Sequence, residues 1–170
     1  MTEADRFTKV RDYVESYGWR FWKRLRASKS KREYHNYEYM RRIGVPCPGG
    51  LEFEDHRNAL GLLTYSSISM EKLADTTDIR YLMCLDEYAE IRANRRFRLA
   101  VSGQIAHWVR VMHENDFFHL NLNFRNVLVQ RDQLEEPRIY FIDVTSCIIR
   151  PTAVRRRYLV VKELAFLYKD

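Results

Sequence analysis

The chain is poor in residues that staple or punctuate a fold: its 170 residues include three cysteines, four prolines and six glycines. Cys47, Cys84 and Cys147 are odd in number, far apart and without a C-x-x-C pair. That excludes a disulfide framework and a zinc site of ordinary spacing, and it suits a reducing cytoplasm. No segment approaches the roughly 20 consecutive apolar residues needed to span a bilayer. The polar, mixed-charge start lacks the apolar run of a secretion signal. Any membrane contact is therefore expected to be peripheral. Internal repeats and low-complexity linkers are missing too.

What is present describes a packed globular protein. Hydrophobic residues make up 46% and aromatics 14%, enough for a core despite 31% charged residues. A formal charge of +6 favours anionic partners: nucleotide phosphates, phosphorylated or acidic glycans, nucleic acid, or an anionic membrane face. Charge alone does not choose among them. Arg20, Lys23, Arg24, Arg26, Lys29, Lys31 and Arg32 crowd one region, with Trp19, Phe21 and Trp22 interleaved, and Arg155, Arg156 and Arg157 form a second cluster. A solvated face explains such runs as readily as a ligand does, and nothing matches a known nucleic-acid module.

Phe7, Val10, Val14 and Tyr17 recur at spacings of three and four, which predicts a short amphipathic helix over residues 2–17. Residues 18–25 then alternate bulky apolar and basic side chains, predicting a half-exposed strand that carries Lys23. Tyr34, Tyr37, Met40 and Ile43 predict a helix capped by Ser28 or Ser30 and closed by Gly44. Short strands at 51–53 and 61–65 form a hairpin, and a polar connection covers 66–78. Phe97, Val101, Ile105, Trp108 and Met112 mark a long helix. Residues 127–129 and 139–142 read as paired strands joined by a charged loop, and 155–168 as a terminal helix.

The long helix leads into HLNLNFRNVLV, and RIYFIDV follows at the second strand of that hairpin. These stretches resemble the H-x-D-L-x-x-x-N loop and metal aspartate of kinase-type phosphotransferases. There, oxygen-bearing side chains hold Mg²⁺ against ATP phosphates. His119, Leu122, Asn126 and Asp143 fit that pattern, while Asn121 occupies the place of the Asp that orients the acceptor hydroxyl. A lone Asn or Asp after such elements otherwise caps a turn. His119 is expected to bond backbone around the loop.

With RFWKRLR, KREYHNYEYMRRIGVPCP and RRRYLVVKELAFL alongside it, the chain resembles the bacterial lipopolysaccharide core kinases over about Arg20 to Leu167. These phosphorylate heptose or 3-deoxy-manno-octulosonic acid. The resemblance implies an α+β, protein-kinase-like fold. A small truncated N-lobe (residues 1–65) would hold a few antiparallel strands and one helix, and a shortened, mainly helical C-lobe (residues 66–170) the loops. It implies ATP and Mg²⁺ as cofactors, with Lys23 on the α- and β-phosphates, Glu33 paired to that lysine, and Asn126 and Asp143 on the metal. The acceptor it implies is a lipopolysaccharide core sugar, reached from the cytoplasm with peripheral contact to the anionic inner-membrane surface. Two departures open an alternative, a pseudokinase or regulatory binding module. Asn121 cannot accept a proton as a carboxylate does, and no glycine-rich phosphate loop precedes Lys23.

Overall fold

A computed structural model describes residues 5–17, 21–130 and 136–169. The chain divides into two compact units, Met1–Tyr39 with Pro48–Lys72, and Met40–Cys47 with Leu73–Asp170.

The first unit is built on an antiparallel sheet of β1 (Arg6–Asp12), β2 (Glu52–Arg57) and β3 (Leu63–Glu71), in the order β1-β3-β2. Thr8 and Ser69, paired across β1 and β3, share a 2.8 Å hydrogen bond, and Arg6 reaches Glu52 on β2 at 2.9 Å. Two short helices follow β1: α1 (Tyr13–Tyr17) and α2 (Phe21–Leu25). The longer α3 (Lys29–Arg42) begins at Ser28, whose Oγ accepts from the Lys31 amide at 2.8 Å. It ends where Gly44 takes a φ of +80°, a left-handed value that glycine adopts without Cβ strain. Tyr13, Tyr37, Leu63, Ile68 and Met70 form the buried core of this unit.

Of the helix expected over 2–17, only Tyr13–Tyr17 is helical; residues 2–4 lie outside the described residues, and Arg6–Asp12 is a strand, because its apolar residues are not the ones that bury. Phe7 and Val10 stay 51% and 60% exposed, while Lys9 and Arg11 turn toward a buried carboxylate. The strand expected over 18–25 is helical from Phe21 to Leu25, and Gly18, Trp19 and Arg20 lie outside the described residues. The hairpin at 51–65 is present but longer. The polar stretch Ser66–Glu71 continues β3: Ser66 and Ser67 are buried, and the Ser66 hydroxyl bonds Ser30 Oγ of α3.

In the second unit β4 (Thr76–Asp78), β6 (Val127–Gln130) and β7 (Ile139–Phe141) form a sheet in the order β4-β6-β7, and β5 (Phe117–Phe118) pairs with β8 (Ile148–Ile149). Three helices, α4 (Ile79–Cys84), α5 (Ala89–Ala93) and α6 (Arg95–Glu114), precede β5, and α7 (Ala153–Lys169) closes the chain. Asn94 caps α6 through its side chain. Phe97, Val101, Val109 and Met112 of α6 are buried with Phe117, Phe118, Leu122, Val127, Phe141 and Leu159. Each such side chain contributes about 1.5–3 kcal/mol by leaving water. The long helix, the hairpin and the terminal helix agree with the sequence reading, although residues 131–135 of the hairpin loop lie outside the described residues. Among the described residues no helix is long and apolar enough to cross a membrane.

Candidate catalytic and metal-binding loop

The loop between β5 and β6 is pinned to the strand after it. Val127 pairs with Phe141, and one step outward the Ile142 amide donates to the Asn126 carbonyl at 3.0 Å. Asn126 and Asp143 therefore emerge at the same end of the β6–β7 hairpin. Asn126 closes a 3₁₀ turn (Phe124–Asn126) whose cap is Asn123. Its Nδ2 donates to the Asn121 carbonyl at 2.7 Å, which leaves Oδ1 as its side-chain oxygen for a ligand. Asp143 stands at a φ of +59° and Leu120 at +61°. For residues with a Cβ, such backbone costs on the order of 1–3 kcal/mol and concentrates at functional sites.

Asn121 lies among these groups. Its Nδ2 donates to Asp143 Oδ2 at 3.1 Å, and its Oδ1 accepts from Asn123 Nδ2, also at 3.1 Å. The other Asp143 oxygen accepts from Thr145 Oγ1 at 3.3 Å. The Asn121 and Thr145 groups are neutral donors at the long end of the hydrogen-bond range. The donor set of carboxylate and amide oxygens is the hard-oxygen kind that Mg²⁺ prefers. Among the described residues no group of three His, Cys, Asp or Glu side chains could hold a metal by itself. A bound cation would thus draw further ligands from phosphates or water.

His119 is fully buried, and its Nε2 donates to the Ile142 carbonyl at 2.9 Å. It ties the start of the loop to the residue before Asp143. Burial is the largest influence on its pKa and pushes it below the usual value, against the opposing pull of Glu163 and Asp143. The ring is therefore held neutral, and Nδ1 has no hydrogen-bond partner.

Glu163 of α7 was not singled out from sequence. It is completely buried. One oxygen accepts the Leu120 amide at 2.5 Å and the other meets His113 Nε2 at 2.7 Å. His113 in turn stacks on Phe118, with ring centroids 4.9 Å apart. The left-handed Leu120 is thereby held from the terminal helix. Its only sequence signal was a carboxylate inside the apolar run of KELAFL.

The first unit carries a second constellation. Glu33 of α3 is completely buried, with Lys9 Nζ at 2.7 Å from Oε1 and Arg11 at 2.8 Å from Oε2. Arg11 also donates to Ser30 Oγ, which bonds Ser66 Oγ. The strand-borne lysine on Glu33 is thus Lys9, a residue sequence reasoning missed. Lys23, expected on a strand, is exposed on α2 and lines a hollow with Arg26, Lys29 and Arg32. The signal for Lys9 was its spacing of two from Arg11, which puts both cations on one face of a strand and which the helical spacing of Phe7, Val10 and Val14 obscured.

Comparison with known proteins follows these landmarks. The model of the lipopolysaccharide kinase (Kdo/WaaP) family matches residues 16–170. The 3-deoxy-D-manno-octulosonic acid kinase of Haemophilus influenzae strain 86-028NP is 24% identical over 123 residues, which are 72% of this chain and 47% of that protein. Its counterpart in strain PittGG is 22% identical over the same coverage. The chain thus spans about half the length of these curated relatives. A solved structure, WaaP in complex with acyl carrier protein, superposes with a TM-score of 0.66 at 22% identity, covering 96% of this chain and 61% of that one. That likeness shows the kinase-like fold.

Proposed function

Because the chain belongs to the lipopolysaccharide kinase (Kdo/WaaP) family, we propose that it is an ATP-dependent phosphotransferase acting on a sugar hydroxyl of the lipopolysaccharide inner core. The observation that carries this reading is the meeting of Asn126 and Asp143 at one end of the β6–β7 hairpin, with the Asn121 amide on the Asp143 carboxylate. Asn126 Oδ1 and the Asp143 carboxylate would hold Mg²⁺. When bound, that ion neutralises phosphate charge as the γ-phosphoryl group leaves. Lys9, fixed by Glu33, takes the role of phosphate contact that the sequence assigned to Lys23.

Asn121 orients the acceptor hydroxyl rather than deprotonating it. Phosphoryl transfer through a loose transition state depends mainly on positioning and electrostatics, so turnover survives at a rate reduced by roughly 10²- to 10⁴-fold relative to a carboxylate base. The test is transfer of label from γ-labelled Mg-ATP to inner-core lipopolysaccharide. Transfer that disappears in Asp143→Ala supports the reading, and no transfer above background in the unaltered protein sinks it.

One observation favours a second reading, a binding module without efficient turnover. Both polar ends of the Asn121 amide are engaged inside the loop, by Asp143 and Asn123. A nucleotide-dependent rise in thermal stability without phosphate transfer, unchanged in Asn121→Asp, would select it. A lipopolysaccharide core acceptor would bring the protein to an anionic inner-membrane surface.

A further inference from the structure

From Phe21 to Arg32 the chain carries six cations and no carboxylate. Lys23, Arg26, Lys29 and Arg32 surround a hollow of about 310 Å³ whose remaining walls are Tyr13 and Ala27. On the same short helix α2, Phe21, Trp22 and Leu25 are 43%, 69% and 47% exposed, and the two aromatic rings lie 4.3 Å apart. Neither the phosphate contact nor the metal loop uses any of these groups.

This surface is built. Arg24, the one buried residue of α2, donates from Nε to the Leu63 carbonyl at 2.8 Å. Arg57 of β2 donates to the carbonyls of Arg24, Arg26 and Gly61, tying the end of α2 to the β2–β3 hairpin. Tyr13 Oη accepts the Lys29 amide at 2.7 Å, which fixes the start of α3 beside it. The helix is thus anchored through Arg24 and by Arg57, while its aromatic and aliphatic residues face water.

Exposed aromatics flanked by a ring of cations match the boundary of a bilayer: aromatic side chains settle at headgroup depth, and Lys and Arg meet anionic headgroups. We infer that α2 and the start of α3 form the membrane-docking face of the protein. Phe21, Trp22 and Leu25 enter the interface, and Lys23, Arg26, Lys29 and Arg32 receive the phosphate of an anionic phospholipid. A nucleic acid would use the cations but would not reward burial of Leu25. The inference rests on the proposed membrane placement but not on turnover.

The test is co-sedimentation of the full chain with vesicles of phosphatidylcholine, alone or mixed with phosphatidylglycerol, together with Trp22 fluorescence. Binding is expected only to the mixed vesicles, weakening steeply with salt and shifting the emission to the blue. The double substitution Arg26→Glu and Arg32→Glu should lower partitioning roughly tenfold or more. Trp22→Ala should weaken binding while keeping its salt dependence. Asp143→Ala should bind as the unaltered protein does, which separates failure of this face from failure of the catalytic reading. Equal binding to neutral vesicles, indifference to the Arg26 and Arg32 reversals, or displacement from mixed vesicles by single-stranded RNA would overturn it.

Discussion

At the scale of single residues the loop is held by buried side chains, His119 among them. His119 is kept neutral by burial, so its pKa in the folded chain lies below that of the unfolded chain, near 6.5. As pH falls through that value the unfolded state takes up a proton that the folded state refuses, and stability falls with it. Denaturant unfolding between pH 7.5 and 5 should therefore show a loss that is smaller in His119→Gln. An unchanged slope in that variant would remove His119 as its source. The buried Glu33 makes the opposite demand, for both of its cations. Lys9→Met leaves Arg11 on the carboxylate and should weaken nucleotide binding, read by calorimetry, by about tenfold or more. Equal affinity in that variant would return the phosphate contact to Lys23 or elsewhere.

At the scale of elements, α7 reaches across its unit to the loop through Glu163. Glu163→Gln keeps the size and one acceptor but loses the charge shared between the Leu120 amide and His113. Removing a charged partner from such a buried site costs on the order of 1.5–3 kcal/mol. The expected result is a lower melting temperature, together with a fall in kcat that exceeds any change in KM for ATP. A variant that lost stability alone would make Glu163 a packing residue.

The elements also show what the sequence could disclose. Phe97, Val101 and Met112 recur at helical spacing and are buried, so α6 was legible, and so was the hairpin that brings Asn126 beside Asp143. β1 was not, because its inward residues are the charged Lys9 and Arg11. An apolar-periodicity reading assumes that apolar residues bury, and Phe7 and Val10 do not. Lys23 was misplaced for a related reason. The alternation of Trp22, Lys23, Arg24 and Leu25 suits a strand, but α2 buries the guanidinium of Arg24 and exposes Trp22 and Leu25. Glu163 was hidden because its partners, the Leu120 amide and the His113 ring, lie 43 and 50 residues away in the chain, beyond the reach of local patterns.

At the scale of the whole molecule, kinship with the Kdo/WaaP family makes phosphoryl transfer the proposed chemistry. The remaining question is what Asn121 does to it. Asn121→Asp should raise the transfer rate by about 10²-fold or more if the amide is only a weak substitute for a base. No gain would mean that positioning by the amide already supplies what the reaction needs.

The hydrogen bond from Asn121 to Asp143 bears on more than rate. Two carboxylates at this distance repel unless a cation or a shared proton lies between them. The amide instead lets the loop close on itself, and assembly of the loop is expected to be independent of magnesium supply. Exhaustive chelation should leave the melting temperature of the protein where it was, and the same treatment should lower it in Asn121→Asp. That outcome would make the residue that departs from the kinase pattern the source of a fold tolerant of metal scarcity.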